Sequence, residues 1–179
     1  MINAVEFNEI ASVYQKIELS RKGGRVRRFH TEPFIGEQNN AHHSHGVALI
    51  VHYLYPDASK DLIIAALTHD IEEGYLGDMP GQVKHFHKPL KKAMNDAEKK
   101  YRKLYGLDIK LSKKEQVILK WADTLELLFT CYDQAKLGNR NVSSIVDNLV
   151  KMSVDYPPIH RATKLFSMIE KGTRRYCSL

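Results

Sequence analysis

The stretch that decides both the fold and the chemistry is LTHDIEEGYLGDMPGQVKHFH, residues 67–87. It follows an apolar run and carries a dense group of ionisable side chains: His69, Asp70, Glu72, Glu73 and Asp78. Burying so many polar groups costs free energy unless hydrogen bonds or a cation compensate for it. The stretch is therefore either a solvated helix end or a site at which a metal ion offsets the burial.

The pattern around this stretch predicts helices. Apolar residues recur at spacings of three and four, and the strict alternation typical of strands is scarce. The 179 residues are 43% hydrophobic and 27% charged, which is typical of a globular protein and argues against disorder or a fibrous repeat. We therefore predict an all-α fold, a single compact helical bundle formed by one domain over residues 1–179.

The element boundaries follow from glycines, prolines and capping residues. We expect a first helix over 6–19, ended by the glycines of RKGG (21–24), and then an ordered loop over 25–40. Further helices are expected over 41–55, from Ser59 to about Gly74, over 87–106, and over 113–137 behind a capping box formed by Ser112 and Glu115. One or two helices should follow the LGNRN loop, interrupted by the prolines at 157–158.

The net charge and the cysteines indicate which partners and which cellular compartment to expect. The formal net charge of +6 favours anionic partners, but the basic runs are short, which favours a nucleotide over nucleic acid. The spacing of Cys131 and Cys177 matches no metal or redox pair, so both are predicted to be free thiols. The first residues resemble neither a signal peptide nor a membrane span, and we expect a cytoplasmic protein with no membrane partner.

Histidines and acids at three points of the chain suggest a metal site. His43 lies in the first turn of its helix, His69 and Asp70 are adjacent at a helix end, and Asp123 interrupts an apolar helix. Two imidazoles and two carboxylates suit a divalent transition metal ion. Glu73 follows one turn after Asp70, where it would act as a general acid or base. A single residue of this kind is more often a hydrogen-bonded structural group, so the metal site is predicted only because all of these residues occur together.

Three motifs carry a family resemblance: HHSHGVAL (42–49), LTHDIEEGYLGDMPGQVK (67–84) and LKWADTLELL (119–128). Their order resembles the H…HD…D signature of the HD-domain phosphohydrolases. RRFHTEP (27–33) and GDMPGQVK (77–84) are similar to the bacterial 5′-deoxynucleotidases and their phage relatives, some of which are dNTP triphosphohydrolases. Two positions depart from the family pattern: His42 replaces the usual Glu, and Phe29 stands where Trp is frequent.

The resemblance implies a role for each matching residue. His43, His69, Asp70 and Asp123 would bind the ion, which would be Zn, Co or Mn, and a triphosphate substrate would bring an additional Mg. Glu73 would work with the attacking water, and Asp78 would assist as a second acid or as a water-positioning group. Arg28 and Phe29 would hold the phosphate or sugar, with Lys84 and Lys120 flanking the motifs. His42, His45, His85 and His87 are expected to face solvent or to support the ligands.

The predicted function is metal-dependent hydrolysis of 2′-deoxynucleotides at the 5′ phosphate ester, by an enzyme whose partner is a small molecule and which forms a homo-oligomer. We favour a dNTP triphosphohydrolase, with dATP as the candidate substrate, that releases deoxynucleoside and triphosphate. The alternative is a 5′-deoxynucleotidase acting on dNMPs. Two alternatives of another class stay open: a metal-bound domain that senses nucleotides, and a nuclease acting on 3′ ends.

Overall fold

The computed structural model of the protein describes residues 4–79 and 87–178, and every regular element within these two ranges is a helix. The helices are α1 (Ala4–Gly24), α2 (Asn40–Leu54), α3 (Lys60–Thr68), α4 (Glu73–Leu76), α5 (Lys88–Leu104), α6 (Lys113–Lys136), α7 (Ser143–Ser153) and α8 (His160–Cys177), with a 3-10 turn at Arg140–Val142. An isolated antiparallel bridge joins Arg27 to Asn39 within the loop that follows α1. The predicted all-α fold is confirmed. Within the described residues, no helix is long and apolar enough to cross a membrane.

Helix α6 is the centre of the bundle and packs against α2, α3, α7 and α8. On one side, its side chains form a core with α7 and α8 that includes Trp121, Leu125, Leu128, Val146, Phe166 and Ile169. On the other side, a second core joins it to α2 and α3 through Val47, Val51, Leu62, Ala66, Ile118 and Ala122. Burial of each large aliphatic side chain stabilises the fold by about 1.5–3 kcal/mol. This second core fixes the three helices that carry the candidate ligands.

The predicted end of the first helix was wrong, because α1 continues through both glycines to Gly24. A Cβ atom on Gly23 would lie 2.5 Å from the carbonyl oxygen of Ile71, and one on Gly74 would lie 2.9 Å from the Gly23 nitrogen. The glycines therefore allow the backbone of α1 to touch the segment that begins α4. The glycines allow close packing against this segment, and the helix ends at the second of them, Gly24, five residues later than predicted.

The third helix was predicted to continue to about Gly74, but α3 ends at Thr68, and α4 begins only at Glu73. Arg102 of α5 explains the break. Its guanidinium donates to the carbonyl oxygens of Thr68 and His69, both at 2.9 Å, and to the carboxylate of Glu72 at 2.8 Å. These carbonyls would otherwise accept helical hydrogen bonds, so Arg102 satisfies them where the helix stops.

The capping residues behave as predicted. Ser59 caps α3 by accepting from the Leu62 N–H, and Ser112 caps α6 in a full capping box with Glu115. The Glu115 carboxylate also accepts a hydrogen bond from the Ser59 hydroxyl at 2.6 Å. One carboxylate therefore joins the N-termini of two helices that carry candidate ligands.

Candidate metal centre

Three of the four predicted ligands lie together. His43 comes from the first turn of α2, His69 from the end of α3, and Asp123 from the middle of α6, with one ligand atom of each within 4.8 Å of the others. His43 Nε2 lies 3.0 Å from Asp123 Oδ1 and 3.1 Å from His69 Nε2. His69 Nε2 lies 3.8 Å from Asp123 Oδ1. The fold brings these atoms to one point from three distant parts of the sequence.

Both imidazoles turn Nε2 toward this point because their Nδ1 atoms are engaged elsewhere. His43 Nδ1 contacts the carboxylate of Glu126, and His69 Nδ1 contacts the carbonyl oxygen of Ala66 at 2.8 Å. Ionised carboxylates and carbonyl oxygens only accept hydrogen bonds, so each Nδ1 carries a proton, and the neutral form of each ring has its lone pair on Nε2. In these neutral forms two lone pairs would face each other across 3.1 Å, which a proton or a bound cation relieves, and this donor set fits a divalent transition metal ion.

Asp70, the fourth predicted ligand, lies at the edge of the group. Its Oδ2 is 3.3 Å from His69 Nε2 and 3.8 Å from His43 Nε2. The same oxygen accepts a hydrogen bond from Arg28 Nη1 at 2.9 Å. Adjacent residues on a continuous helix would diverge, but the helix ends at Thr68, and the side chains of His69 and Asp70 meet beyond it.

The electrostatics of the site favour a positive charge at its centre. Burial disfavours a charged imidazole at His69, but Asp70 and Asp123 outweigh that effect and raise the pKa of His69 to about 9. Burial likewise opposes protonation of His43, yet its hydrogen bonds to Asp123 and Glu126 raise its pKa. Although burial favours the neutral form of Asp123, its hydrogen bonds to the two histidines hold its pKa well below the ordinary value. A divalent cation would meet the same electrostatic demand.

Glu73 stands beside the ligands at the start of α4. Its Oε2 accepts a hydrogen bond from Asn40 Nδ2 at 2.7 Å, and the same amide nitrogen lies 3.3 Å from the carbonyl oxygen of Asp70. Burial first, and the charge of Asp70 second, raise the pKa of Glu73 to about 7. A carboxyl group with a pKa near neutrality is suited to exchanging a proton at neutral pH.

The loop between α1 and α2 places Arg28 and Phe29 next to this group. Arg28 is half-buried and contacts Asp70 and, at 3.3 Å, Asn40 Oδ1. Phe29 has a φ of 55°, in the left-handed region, and its ring stacks on Phe34 with centroids 4.7 Å apart. Such a backbone conformation is strained for a bulky residue and persists only where its surroundings hold it.

The remaining predicted residues are less closely tied to the ligands. Asp78 Oδ2 lies 3.4 Å from His30 Nδ1, and its charge contributes to raising the pKa of Glu73. Lys120 places its ammonium 3.9 Å from the centroid of the Tyr156 ring. Lys84 and His85 lie outside the described residues. His42 and His45 are exposed on α2, and His87 caps α5 by accepting from the Leu90 N–H.

Sequence reasoning missed two residues at this site. Glu126 is buried against His43, and Asn40 is buried between Arg28 and Glu73. Glu126 carries a usable signal, since it is a second acid in an apolar helix, three residues after Asp123. Asn40 carries none, because asparagine before a helix usually indicates a cap, and Asn39 fills that role.

Comparison with known proteins identifies the family. The sequence model of the 5′-deoxynucleotidase YfbR-like family matches residues 19–159, which is most of the chain. The chain belongs to the YfbR-like family. It is therefore an HD-type, metal-dependent phosphohydrolase, and the predicted resemblance is confirmed. No curated protein matches the sequence of this YfbR-like chain closely enough to count as a relative.

Two solved structures share the fold of this YfbR-like protein. One is the cyanophage S-2L HD phosphohydrolase DatZ, bound to dA and one catalytic Zn²⁺ ion, with a TM-score of 0.65 and 16% identity over 88% of this chain and 96% of that one. The other is the PH0347 protein of Pyrococcus horikoshii OT3, with a TM-score of 0.64 and 21% identity over 91% of this chain and 99% of that one. The similarity of fold extends over nearly the whole of both proteins.

Proposed function

We propose that this protein hydrolyses 2′-deoxynucleotides at the 5′ phosphate ester. The observation that carries the proposal is the convergence of His43, His69 and Asp123 on one point, with Glu73 and Arg28 beside it. Family membership supports the substrate class. The net charge of +6 suits an anionic substrate.

His43, His69, Asp70 and Asp123 would hold the ion, which would be Zn, Co or Mn. When bound, the ion lowers the pKa of water and polarises a phosphoryl oxygen. The chain supplies the proton transfer and the placement of the substrate. Glu73, held by Asn40, is positioned to take the proton of the attacking water, and Asp78 would orient that water. The new bond would join the water oxygen to phosphorus as the ester bond to the 5′ oxygen breaks, and the proton taken up by Glu73 would pass to that oxygen, which leaves as the deoxynucleoside hydroxyl.

Arg28 is the candidate phosphate ligand. Its Nε atom is buried and has no hydrogen-bond partner among the described residues, so this donor is available to a phosphate oxygen. Guanidinium groups bind phosphate through pairs of parallel hydrogen bonds. The neighbouring Phe29, fixed by its stack on Phe34, is proposed to contact the sugar and to disfavour a ribonucleotide.

The number of phosphates separates two candidate substrates. We favour a dNTP, with dATP as the candidate and an additional Mg on the triphosphate, because Lys84 and Lys120 flank the motifs and would neutralise further phosphates. The second candidate is a dNMP, which the 5′-deoxynucleotidase description of the family favours. Arg28 alone would serve the single phosphate of a dNMP.

A product assay decides between them. The purified protein is incubated with dNMPs, dNTPs, NMPs and NTPs in turn with several divalent ions, and nucleoside, phosphate and triphosphate are separated by chromatography. Nucleoside plus triphosphate from a dNTP supports the first candidate, and nucleoside plus phosphate from a dNMP alone supports the second. The Asp123→Ala variant, which should lose both metal and turnover, is the control for contaminating activity. No product from any nucleotide while the metal is bound would contradict the proposal.

We further propose that the protein forms a homo-oligomer through α1. Ile10, Val13, Tyr14 and Ile17 are each more than half exposed and, at spacings of three and four, share one face of the helix. Paired antiparallel with a second copy, this face would meet itself, as two-fold symmetry requires. A cytoplasmic location also stays a proposal, supported by the two free thiols.

A further inference from the structure

Glu126 lies at the junction of two functional parts of the protein. Its carboxylate is buried in α6, one turn beyond Asp123. One oxygen, Oε2, accepts the Nδ1 proton of His43. The other, Oε1, accepts hydrogen bonds from Gln38 Nε2 at 3.0 Å and Thr130 Oγ1 at 3.3 Å. Both oxygens of this acid are therefore engaged, each in a different direction.

The contact between Glu126 and His43 determines which ring nitrogen of His43 faces a metal ion and with what orientation. A carboxylate on Nδ1 fixes the tautomer and the rotation of the ring, and it makes Nε2 a stronger donor. Loss of such a partner typically weakens metal binding by about 10–100-fold. Glu126 itself has no ligand atom in the group formed by His43, His69 and Asp123, so its effect on the ion would pass through His43.

The contact with Gln38 reaches the loop that carries Arg28. The Gln38 carbonyl oxygen accepts the backbone N–H of Arg28 at 2.9 Å, next to the bridge between Arg27 and Asn39. The Gln38 side chain is held by Glu126 and by Thr130, whose hydroxyl lies 2.8 Å away. Glu126 therefore supports the end of the loop, at Gln38, whose backbone holds Arg28.

Gly46 provides the space that Glu126 occupies. It lies in α2, one turn beyond His43, and a Cβ atom there would come within 2.7 Å of Glu126 Cγ. Glycine inside a helix is unfavourable by roughly 0.5–1 kcal/mol relative to alanine. The approach of Glu126 to His43 gives a physical reason for this glycine.

We propose that Glu126 is a positioning residue for two sites, orienting His43 for the metal ion and holding the Arg28 loop through Gln38, and that Gly46 gives it the room to do so. The part concerning the loop rests on the proposed function, since Arg28 is there the phosphate ligand. The part concerning the metal ion does not.

The metal part is tested by titrating Co²⁺ into the metal-free protein and following the visible absorption of the bound ion. Glu126→Gln should weaken binding by about 10–100-fold and change the absorption spectrum. Gly46→Ala should also weaken Co²⁺ binding. In a protein that already carries Glu126→Ala, Gly46→Ala should have no further effect on Co²⁺ affinity, because both residues would act through the contact between Glu126 and His43. Gly172→Ala, in α8, is the matched control: its Cβ would come within 2.9 Å of the Tyr132 ring of α6, which is not among the clustered ligands, and Co²⁺ affinity should be unchanged.

The loop part is tested by hydrogen exchange at the amide groups of residues 25–39 and by KM. Gln38→Ala should speed exchange at Arg28 and raise KM for the deoxynucleotide, while Co²⁺ affinity stays within about twofold of the wild-type value. Glu126→Gln should change exchange, KM and Co²⁺ affinity together.

Wild-type Co²⁺ affinity in both Glu126→Gln and Gly46→Ala would overturn the proposal, as would unchanged exchange in Gln38→Ala. A wild-type protein that binds Co²⁺ but hydrolyses no deoxynucleotide would refute the proposed function alone, since affinity and exchange are read without turnover.

Discussion

At the scale of single residues, Asn40 shows how a buried amide organises charged neighbours. Its Nδ2 donates a hydrogen bond to the Glu73 carboxylate, and its Oδ1 accepts one from the Arg28 guanidinium. The neutral amide therefore lies between an acidic group and a cationic group. Removing one partner from such a buried set costs about 1–3 kcal/mol. A neutral side chain therefore orients the Glu73 carboxylate, which forms no direct ion pair with Arg28.

The role of Glu73 leads to the first prediction. Glu73→Gln preserves the shape of the side chain but removes its ability to accept a proton, so kcat should fall by about 100-fold or more. Metal content, measured by atomic emission on the purified variant, should match the wild type, because Glu73 is not among the clustered ligands. Glu37→Gln, on the exposed part of the neighbouring loop, should leave both quantities unchanged. A fully active Glu73→Gln enzyme would refute this role.

A site residue could be predicted from the sequence only where its neighbours along the chain made it unusual. Asp123 stands out because an acid in the middle of an apolar helix needs a partner, and His69 and Asp70 stand out because they end an apolar run. Glu126 could be noticed as a second acid in an apolar helix, but its role and that of Asn40 could not be assigned, since their partners, His43 for Glu126 and Glu73 for Asn40, lie far from them in sequence. Arg102 resembled the other charged residues of an exposed helix until its contacts with the end of α3 were known.

At the scale of elements, helix ends explain both the successes and the errors. The start of α6 was predictable because Ser112 and Glu115 contact each other within four residues. The ends of α1 and α3 were not, because Gly23 packs on Ile71 and Arg102 reaches across from α5. Local signals thus predict the boundaries that local contacts determine, and tertiary contacts decide the others.

The junction between α3 and α6 gives the second prediction. Hydrogen bonds from Ser59 and Ser112 hold the pKa of Glu115 at about 2, below its ordinary value of 4.5. A lowered pKa stabilises the folded state above pH 4.5, and this stabilisation is lost as the pH falls toward 2. Glu115→Gln should therefore lower Tm at pH 7, and the difference from the wild type should shrink below pH 4.5.

Differential scanning calorimetry between pH 2.5 and 7 measures this difference. Glu37→Gln is the control: its ion pair with Arg27 is long, at 3.9 Å, and exposed, so little change in Tm is expected at any of these pH values. A Tm difference for Glu115→Gln that is the same at pH 3 as at pH 7 would contradict the assigned cause.

At the scale of the whole molecule, the ion should stabilise the fold because its ligands come from three helices. A free ion at about 100 times its Kd contributes about 2.7 kcal/mol if it binds only the folded state. For a chain of this size, that corresponds to a rise in Tm of roughly 5–10 °C. Thermal unfolding with and without a chelator measures the effect. Asp123→Ala should show almost no response to the chelator, and an equal response would mean that the ion binds elsewhere.

The exposed face of α1 gives the fourth prediction. Ile17→Glu places a charge at the C-terminal end of the apolar face and should reduce the mass seen by light scattering to that of one chain. An exposed substitution of this kind changes folding stability by about 0.5 kcal/mol or less, so Tm in dilute solution should be nearly unchanged. Val154→Glu, at another exposed apolar residue, is the control and should keep the wild-type mass. A wild-type protein that is monomeric at high concentration would refute the proposed interface.

The distance along the chain between His43 and Asp123 has a consequence for folding kinetics. The two residues are brought together only when α2 and α6 have packed through their shared core, a contact between distant parts of the sequence that we expect to form late in folding. An ion that needs both ligands cannot help to assemble them, but it must leave before they can part. Saturating metal should therefore slow unfolding and leave the refolding rate nearly unchanged, so that the ion prolongs the lifetime of the native state without hastening its formation.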